Sequence, residues 1–194
     1  MTNSLPVQLP HSAALLVIDV QHAIDHPSWG ERNNPRAESN IAALLAAWRA
    51  SASGRPIYHV RHDSTEAKSH YRPGQPGHDF KPEARPHAGE TVIAKRTNSA
   101  FIGTGLEATL RAAGVETLIV TGVITNNSVE ATVRMAGNLG FETFVVEDAC
   151  FTFGRKDWAG TPRTASEVHA MSLANLEGEY ATVVGTAAVL AALR

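Results

Sequence analysis

Short, unbroken apolar runs alternate along this chain with longer segments whose apolar residues recur every three or four positions. The first run (Ala13, Ala14, Leu15, Leu16, Val17, Ile18) is apolar throughout and stops at Asp19. A run with no alternation is the profile of a strand covered on both faces. Comparable runs predict strands at 55–61, 91–94, 117–120, 143–146 and around 181–184. Between the first two, Ile41, Leu44, Leu45 and Trp48 recur at helical spacing, in a segment that Pro35 can open, that continues to Ser53 and that Gly54 can close as a C′ residue. Further helices are predicted at 106–113, from about 127 to 139, over 164–176, and in the terminal segment to Leu193. Strands alternating with helices predict a three-layer α/β/α fold around a six-stranded, mostly parallel, Rossmann-like sheet. The chain shows no internal repeat, low-complexity segment or linker, so residues 1–194 are expected to form a single domain.

Two segments depart from this rhythm. Residues 62–89 interleave Pro73, Pro76, Pro82 and Pro86 with Gly74, Gly77 and Gly89. A loop of that length inside a domain is usually functional, and it is expected to cover a site or contribute to a subunit contact. At 121–130 (TGVITNNSVE) a β-favouring run enters a polar turn and then a helix-forming stretch, which places Ser128 near a helix start.

Composition narrows the function classes. With 43% hydrophobic and 19% charged residues among 194, the chain has a globular balance. A formal net charge of −2 gives no electrostatic case for nucleic acid. No apolar run reaches the roughly 18 residues of a membrane span, so no membrane association is expected. The opening MTNSLPVQLPHS lacks a basic segment followed by an apolar one, and the single cysteine, Cys150, allows no intramolecular disulfide. Both point to a cytoplasmic location. Gly103-Thr104-Gly105 lacks the continuation of a dinucleotide fingerprint and follows a loop, so no cofactor is implied.

The carboxyl ends of parallel strands share one edge of a sheet, where α/β proteins bind ligands. Asp19, Lys95 and Ser128 fall at or just beyond three such ends. A lysine beside a nucleophile lowers its pKa and stabilises developing negative charge, while an aspartate can take and return its proton. The same residues also fit plainer roles: Asp19 capping a turn, Lys95 a solvated strand end, and Ser128 capping the next helix.

Three blocks carry a family resemblance: Leu15–Gln21 (LLVIDVQ), Lys95–Gly103 (KRTNSAFIG) and Gly122–Glu130 (GVITNNSVE). Together they resemble the signature blocks of the isochorismatase-like cysteine hydrolases, and the likeness extends through Cys150. The resemblance implies a six-stranded parallel sheet and hydrolysis of small amide or ureide substrates such as nicotinamide, N-carbamoylsarcosine or ureidoacrylate. Other members cleave the vinyl ether of isochorismate. It assigns Asp19 as general base and Lys95 as the family's lysine, and it puts Ser128 where the amidases have a nucleophilic cysteine. It also implies an oxyanion hole from the backbone N–H groups of Ile124 and Ser128, beside a cis peptide between Val123 and Ile124. A homodimer or homotetramer is implied as well.

Serine at 128 admits three explanations: a cysteine replaced to remove the nucleophile, a branch that acts through Asp19 without a covalent intermediate, or a silent binding protein on an enzyme scaffold. A hydroxyl is far harder to ionise than a thiol, and an Asp/Lys pair is not the usual activator of serine. Cys150 follows a different strand and is expected to be a buried structural thiol. His59, His62 and Asp63 resemble a zinc-binding neighbourhood, but their spacing departs from D-x-H and strand alternation sends the two histidines to opposite faces. No metal site is therefore expected. His70, His78 and His87 are scattered along the loop and are expected to be solvated. The expected pocket walls are Gln21, Trp29, Phe101, Phe151 and Phe153, with Tyr71 a further candidate, around a small-molecule substrate.

Overall fold

Helices cover both faces of one sheet, and that is why its two central strands are buried at every position. The computed structural model describes residues 8–51 and 54–193. Six strands, β1 (Ala14–Ile18), β2 (Ile57–His62), β3 (Thr91–Lys95), β4 (Thr117–Val123), β5 (Glu142–Phe151) and β8 (Thr182–Val184), pair in parallel in the order β3-β2-β1-β4-β5-β8. Helices α1 (Ala37–Ala50) and α5 (Thr186–Ala192) lie on one face; α2 (Leu106–Ala112) and α3 (Glu130–Asn138) lie on the other. Alternate residues of β1 serve the two layers. Leu16 and Ile18 pack with Leu106, Leu110 and Val133, while Leu15 and Val17 pack with Ile41, Leu44 and Trp48. Trp48 is fully buried, so its truncation to alanine would cost about 3–5 kcal/mol. Among the described residues no helix is long and apolar enough to cross a membrane.

The departures from the sequence reading have local causes. The expected α1 reached from Pro35 to Ser53; Ala52 and Ser53 lie outside the described residues, and the helix begins at Ala37. Just before it, Asn34 takes a positive φ of 46° and its amide donates to the carbonyls of Glu147 and Cys150. Strand β5 does not stop at Val146. It runs on to Phe151 because it pairs again with β4 beyond an irregularity, Gly122 with Cys150 and Val123 with Phe151, while the Asp148 carboxylate accepts from the N–H and hydroxyl of Thr186. The helix expected from about 127 starts at Glu130, after a π-helical turn over Thr125–Val129. The expected aromatic loop after β5 contains a small antiparallel hairpin, β6 (Arg155–Lys156) with β7 (Pro162–Arg163). It leads into α4 (Ala165–Ala174), where Thr164 and Glu167 form a reciprocal capping box.

One glycine fixes the relation between the central strands. Gly122 pairs with Ile18 at φ +119°, and a methyl group there would lie 2.2 Å from the Ile18 carbonyl oxygen. Only glycine lets β4 pass this close to β1, immediately before Asp19.

Candidate functional site

Three strand ends and one turn build the site. Asp19 follows β1 in a left-handed conformation (φ 54°), which aspartate tolerates better than most residues. Its N–H donates to the Val60 carbonyl at 2.9 Å, and its own carbonyl accepts from the Gln21 N–H at 2.8 Å and the Tyr71 hydroxyl at 3.3 Å. These contacts hold the strained backbone and aim the side chain at the sheet edge.

Lys95 ends β3, and β2 lies between β3 and β1. Its long side chain crosses the end of β2 to reach Asp19 and passes His62 on the way. Nζ donates to Asp19 Oδ2 at 2.6 Å, to the Thr97 carbonyl at 3.0 Å and to Ser128 Oγ at 3.1 Å, with His62 Nδ1 at 3.3 Å. Both ends of the Asp19–Lys95 pair are buried. Ser128 lies in the π-helical turn that follows the cis Val123–Ile124 peptide. That turn is held from outside: Thr125 Oγ1 hydrogen-bonds His169 Nδ1 of α4 at 2.9 Å, and the Thr152 hydroxyl donates to Asn126 Oδ1.

Burial pushes the Asp19 carboxyl above the ordinary carboxylate range, although Lys95, Ser128 and His62 pull it back. Its Oδ1 is buried and has no hydrogen-bond partner among the described residues. Burial and then the Lys95 charge push His62 below its ordinary value, so its imidazole is neutral and Nδ1 is free to accept. Burial pushes Tyr71 well above the phenol range, which keeps it a donor.

These groups face a cavity of about 300 Å³ lined by Asp19, Val123, Ile124, Asn127, Ser128, Trp29 and Asn98, with His62, Ser64, Glu66, Lys68, Ser69, His70 and Tyr71 closing another side. The site can bind a small polar molecule, place a hydroxyl beside a cation, and accept a proton on a carboxylate that is only half satisfied.

Trp29 and Tyr71 reach the cavity; four other expected walls do not line it. Gln21 is a bracket between loops, donating to the carbonyls of His62 and His78 and accepting from the His62 N–H. Phe101 stacks on Phe141 in the core beneath α2 and α3. Phe151 is fully buried under the Arg32 guanidinium, and Phe153 stacks against Trp29 from behind at 5.5 Å. The burial that makes an aromatic attractive as a pocket wall is equally well met by core packing. Two loop histidines are also not simply solvated: His78 pairs with Asp63 at 2.8 Å, and His70 stacks on His26 at 3.6 Å.

The remaining candidates separate cleanly. His59 pairs with Glu90 and His62 with Lys95, while Asp63 is held by Arg61 and His78. Among the described residues no three potential ligands converge on a metal position. Cys150 is buried and its thiol is pushed up to about 12, mainly by burial, which makes it a poor nucleophile. Sequence reasoning missed Ser64, Asn98 and Asn127 as lining residues. Asn98 and Asn127 lay inside the matched blocks; Ser64 carried no signal, because the loop around it has no periodicity.

Comparison with known proteins bears on family and fold. Residues 13–188 match the Isochorismatase domain. The chain is 40% identical over 173 residues to the isochorismatase family protein YrdC of Bacillus subtilis, covering 89% of this chain and 91% of that one. A solved isochorismatase-family structure from Chromobacterium violaceum superposes with a TM-score of 0.93 at 62% identity, covering 98% of both chains. A streptothricin hydrolase of Streptomyces noursei is 34% identical over 72% of this chain and 50% of its own length. The ureidoacrylate amidohydrolase RutB of Variovorax paradoxus is 27% identical over 73% of this chain and 69% of its own. With the family domain spanning nearly the whole chain and the same six-stranded parallel sheet, this chain belongs to the isochorismatase family of hydrolases.

Proposed function

We propose that the cavity is an active site for hydrolysis of a small carbon–nitrogen bond of the amide or ureide type. Asp19 acts as base, Lys95 as electrostatic partner and residue 128 as the nucleophile's position. One observation carries the reading: Lys95 Nζ sits 2.6 Å from Asp19 Oδ2 and 3.1 Å from Ser128 Oγ, while Asp19 Oδ1 stays unpaired and buried. The amidohydrolase and hydrolase activities named for two relatives support the substrate class.

In this reading Asp19 takes the Ser128 hydroxyl proton as Oγ bonds to the carbonyl carbon, and the carbonyl oxygen becomes an oxyanion received by the N–H groups of Ile124 and Ser128. Collapse breaks the C–N bond, and the leaving nitrogen takes the proton from Asp19. Water then attacks the ester with Asp19 as base again, releasing the acid and restoring the hydroxyl. Lys95 keeps its charge throughout and offsets the negative charge that moves between Asp19 and Oγ. Nothing in the sequence requires a cofactor.

Serine makes the first step slow, because a hydroxyl ionises far less readily than a thiol. Wild type and Ser128→Cys are to be assayed for ammonia release against a panel of small amides and ureas. The Ser128→Cys form is expected to turn over faster and to be alkylated at position 128 rather than at Cys150. Absence of ammonia from both forms, with no alkylation at 128, would overturn the reading. A second reading, in which Asp19 acts without a covalent intermediate, rests on the hydroxyl at position 128, a much weaker nucleophile than a thiol. Ser128→Ala separates the two: it abolishes turnover in the covalent route and spares it in the other.

A further inference from the structure

Helix α4 holds the turn that carries Ser128 at both of its ends. His169 and Ser172 stand three residues apart, on one face of α4, and both are buried. His169 Nδ1 meets Thr125 Oγ1, at the first residue of the π-helical turn, at 2.9 Å. The Ser172 hydroxyl donates at 2.6 Å to Oε2 of Glu130, the residue that follows the turn. Between these two fastenings the N–H groups of Asn127 and Val129 both close on the Ile124 carbonyl. Wide turns of this kind are uncommon and frequently lie at functional sites.

The direction of the first bond follows from its neighbours. Asn34 Nδ2 lies 3.4 Å from His169 Nε2, but its two hydrogens are already used on the carbonyls of Glu147 and Cys150, at 2.8 and 2.7 Å. Nε2 therefore has no donor to accept from, and the Glu147 carbonyl is within its reach as an acceptor. The ring carries its proton on Nε2 and leaves Nδ1 bare, so the Thr125 hydroxyl donates to it. Burial pushes His169 below its ordinary value, against the pull of the Glu147 carbonyl, and keeps the ring neutral. Thr125 is fully buried, and among the described residues its hydroxyl has no other partner.

We propose that His169 is a positioning residue of the site: through Thr125, and with Ser172 gripping Glu130, it fixes the turn so that the side chain at 128 stays against Lys95 Nζ. A displacement of about 0.5 Å would stretch the 3.1 Å contact between Lys95 and Ser128 out of hydrogen-bond range. The charged and titratable groups that face position 128 are Lys95 and Asp19, with His62 beyond Lys95. His169 bonds to none of them and acts through the turn. The inference rests on the nucleophile's position proposed above, and its test reads ionisation at that position instead of turnover.

The probe is iodoacetamide on the full chain carrying Ser128→Cys, with the alkylated residue identified by peptide mapping and the thiol pKa taken from the pH dependence of the rate. A lysine beside a well-placed thiol lowers its pKa. His169→Leu and Thr125→Val, each made in that background, are expected to raise it again and to slow alkylation at neutral pH by about 10-fold, the equivalent of about one pKa unit. Their combination should be no worse than either alone, because both break the same bond. His169→Asn, whose amide oxygen can take the place of Nδ1, should restore most of the rate. Ser172→Ala should slow it less, since Arg134 still holds Glu130. Thr125→Val keeps size and shape, so it decides the matter if His169→Leu does not fold. Urea midpoints would fall in these variants even if the bond only stabilised α4; the thiol pKa would not move. A thiol that ionises alike in the parent, Thr125→Val and His169→Leu forms overturns the proposal, even where ammonia release upholds hydrolysis. So does a parent thiol as slow as an unperturbed cysteine, since the turn would then be held against no charge. A shifted thiol with no ammonia released upholds the positioning without upholding the hydrolysis.

Discussion

Glu90 and Asp19 are both carboxylates at ends of the same sheet, and each touches a cation, yet their acidities move in opposite directions. Glu90 uses both oxygens: Arg49 donates to each, and Oε2 also meets His59 Nε2 and the His87 N–H. Burial alone would raise it, but these bonds hold it down to about 2. Glu38 behaves the same way, bonded to Arg32 and Lys81 and held at about 2 against the pull of burial. Asp19 has a single cation on Oδ2 and nothing on Oδ1, so burial wins and its pKa rises. A saturated carboxylate ties loops to helices. One left half satisfied keeps an affinity for protons, which a base needs.

The contrast breaks hardest at Asp19. Asp19→Asn keeps the size of the side chain and removes the proton acceptor. Turnover, measured as kcat on the amide found by the substrate panel, is expected to fall by about 10²–10⁴-fold with the fold retained. If Asp19→Asn keeps wild-type kcat, Asp19 is a strut like Glu90 and the proposed function fails.

Glu90→Gln should instead act on stability. It leaves Arg49 and His59 without their charged partner in a partly buried site, an expected loss of about 1–3 kcal/mol by urea denaturation. Turnover at saturating substrate should change little, since Glu90 is not among the residues that line the cavity.

The same comparison shows what was readable in advance. The central strands were legible because burial on both faces leaves only apolar residues, as in Leu15–Ile18 and Leu118–Val120. The residues that meet at the sheet edge were legible because Asp19, Lys95 and Ser128 each sit in a compact block beside a strand end. Gln21 was misread as a wall because its partners, the backbones of His62 and His78, are set by chain crossing and not by local pattern. The hairpin was missed because its strands are two residues each, too short for alternation to register. The fates of Phe101 and Phe151 turned on which side of the cavity wall each ring lies, and apolarity alone carries no such information.

Stability against pH sharpens the contrast with opposite signs. Glu90 and Glu38 have folded values depressed from 4.5 to about 2. Their contribution is full above the unfolded value and is lost as pH falls from there towards about 2. Asp19 has a folded value above its ordinary 3.8, so its contribution is present below that value and is lost as pH rises through the folded one. Urea midpoints measured across the acid range should therefore fall less steeply on acidification in Glu90→Gln than in the wild type. Asp19→Asn should fall more steeply. An identical pH dependence in all three would show that the two kinds of carboxylate are not distinct.

The smallest expected effect is at His62, and it tests whether Asp19 titrates alone. An ammonium has three N–H donors, while Lys95 Nζ has four acceptors within reach: Asp19, Thr97, Ser128 and His62 at 3.3 Å. Losing the longest contact leaves Lys95 satisfied, so His62→Ala should change stability by less than about 1 kcal/mol. Its effect belongs to the acid limb of the rate profile. As pH falls, protonation of Asp19 removes the base, and protonation of His62 sets an imidazolium against the Lys95 ammonium. Two proton uptakes make log(kcat/KM) fall with a slope approaching two. His62→Ala removes one of them, so its slope should be one, with kcat at neutral pH reduced by no more than about 10-fold. A wild-type slope of one, unchanged in His62→Ala, would mean that the histidine only fills the wall of the cavity.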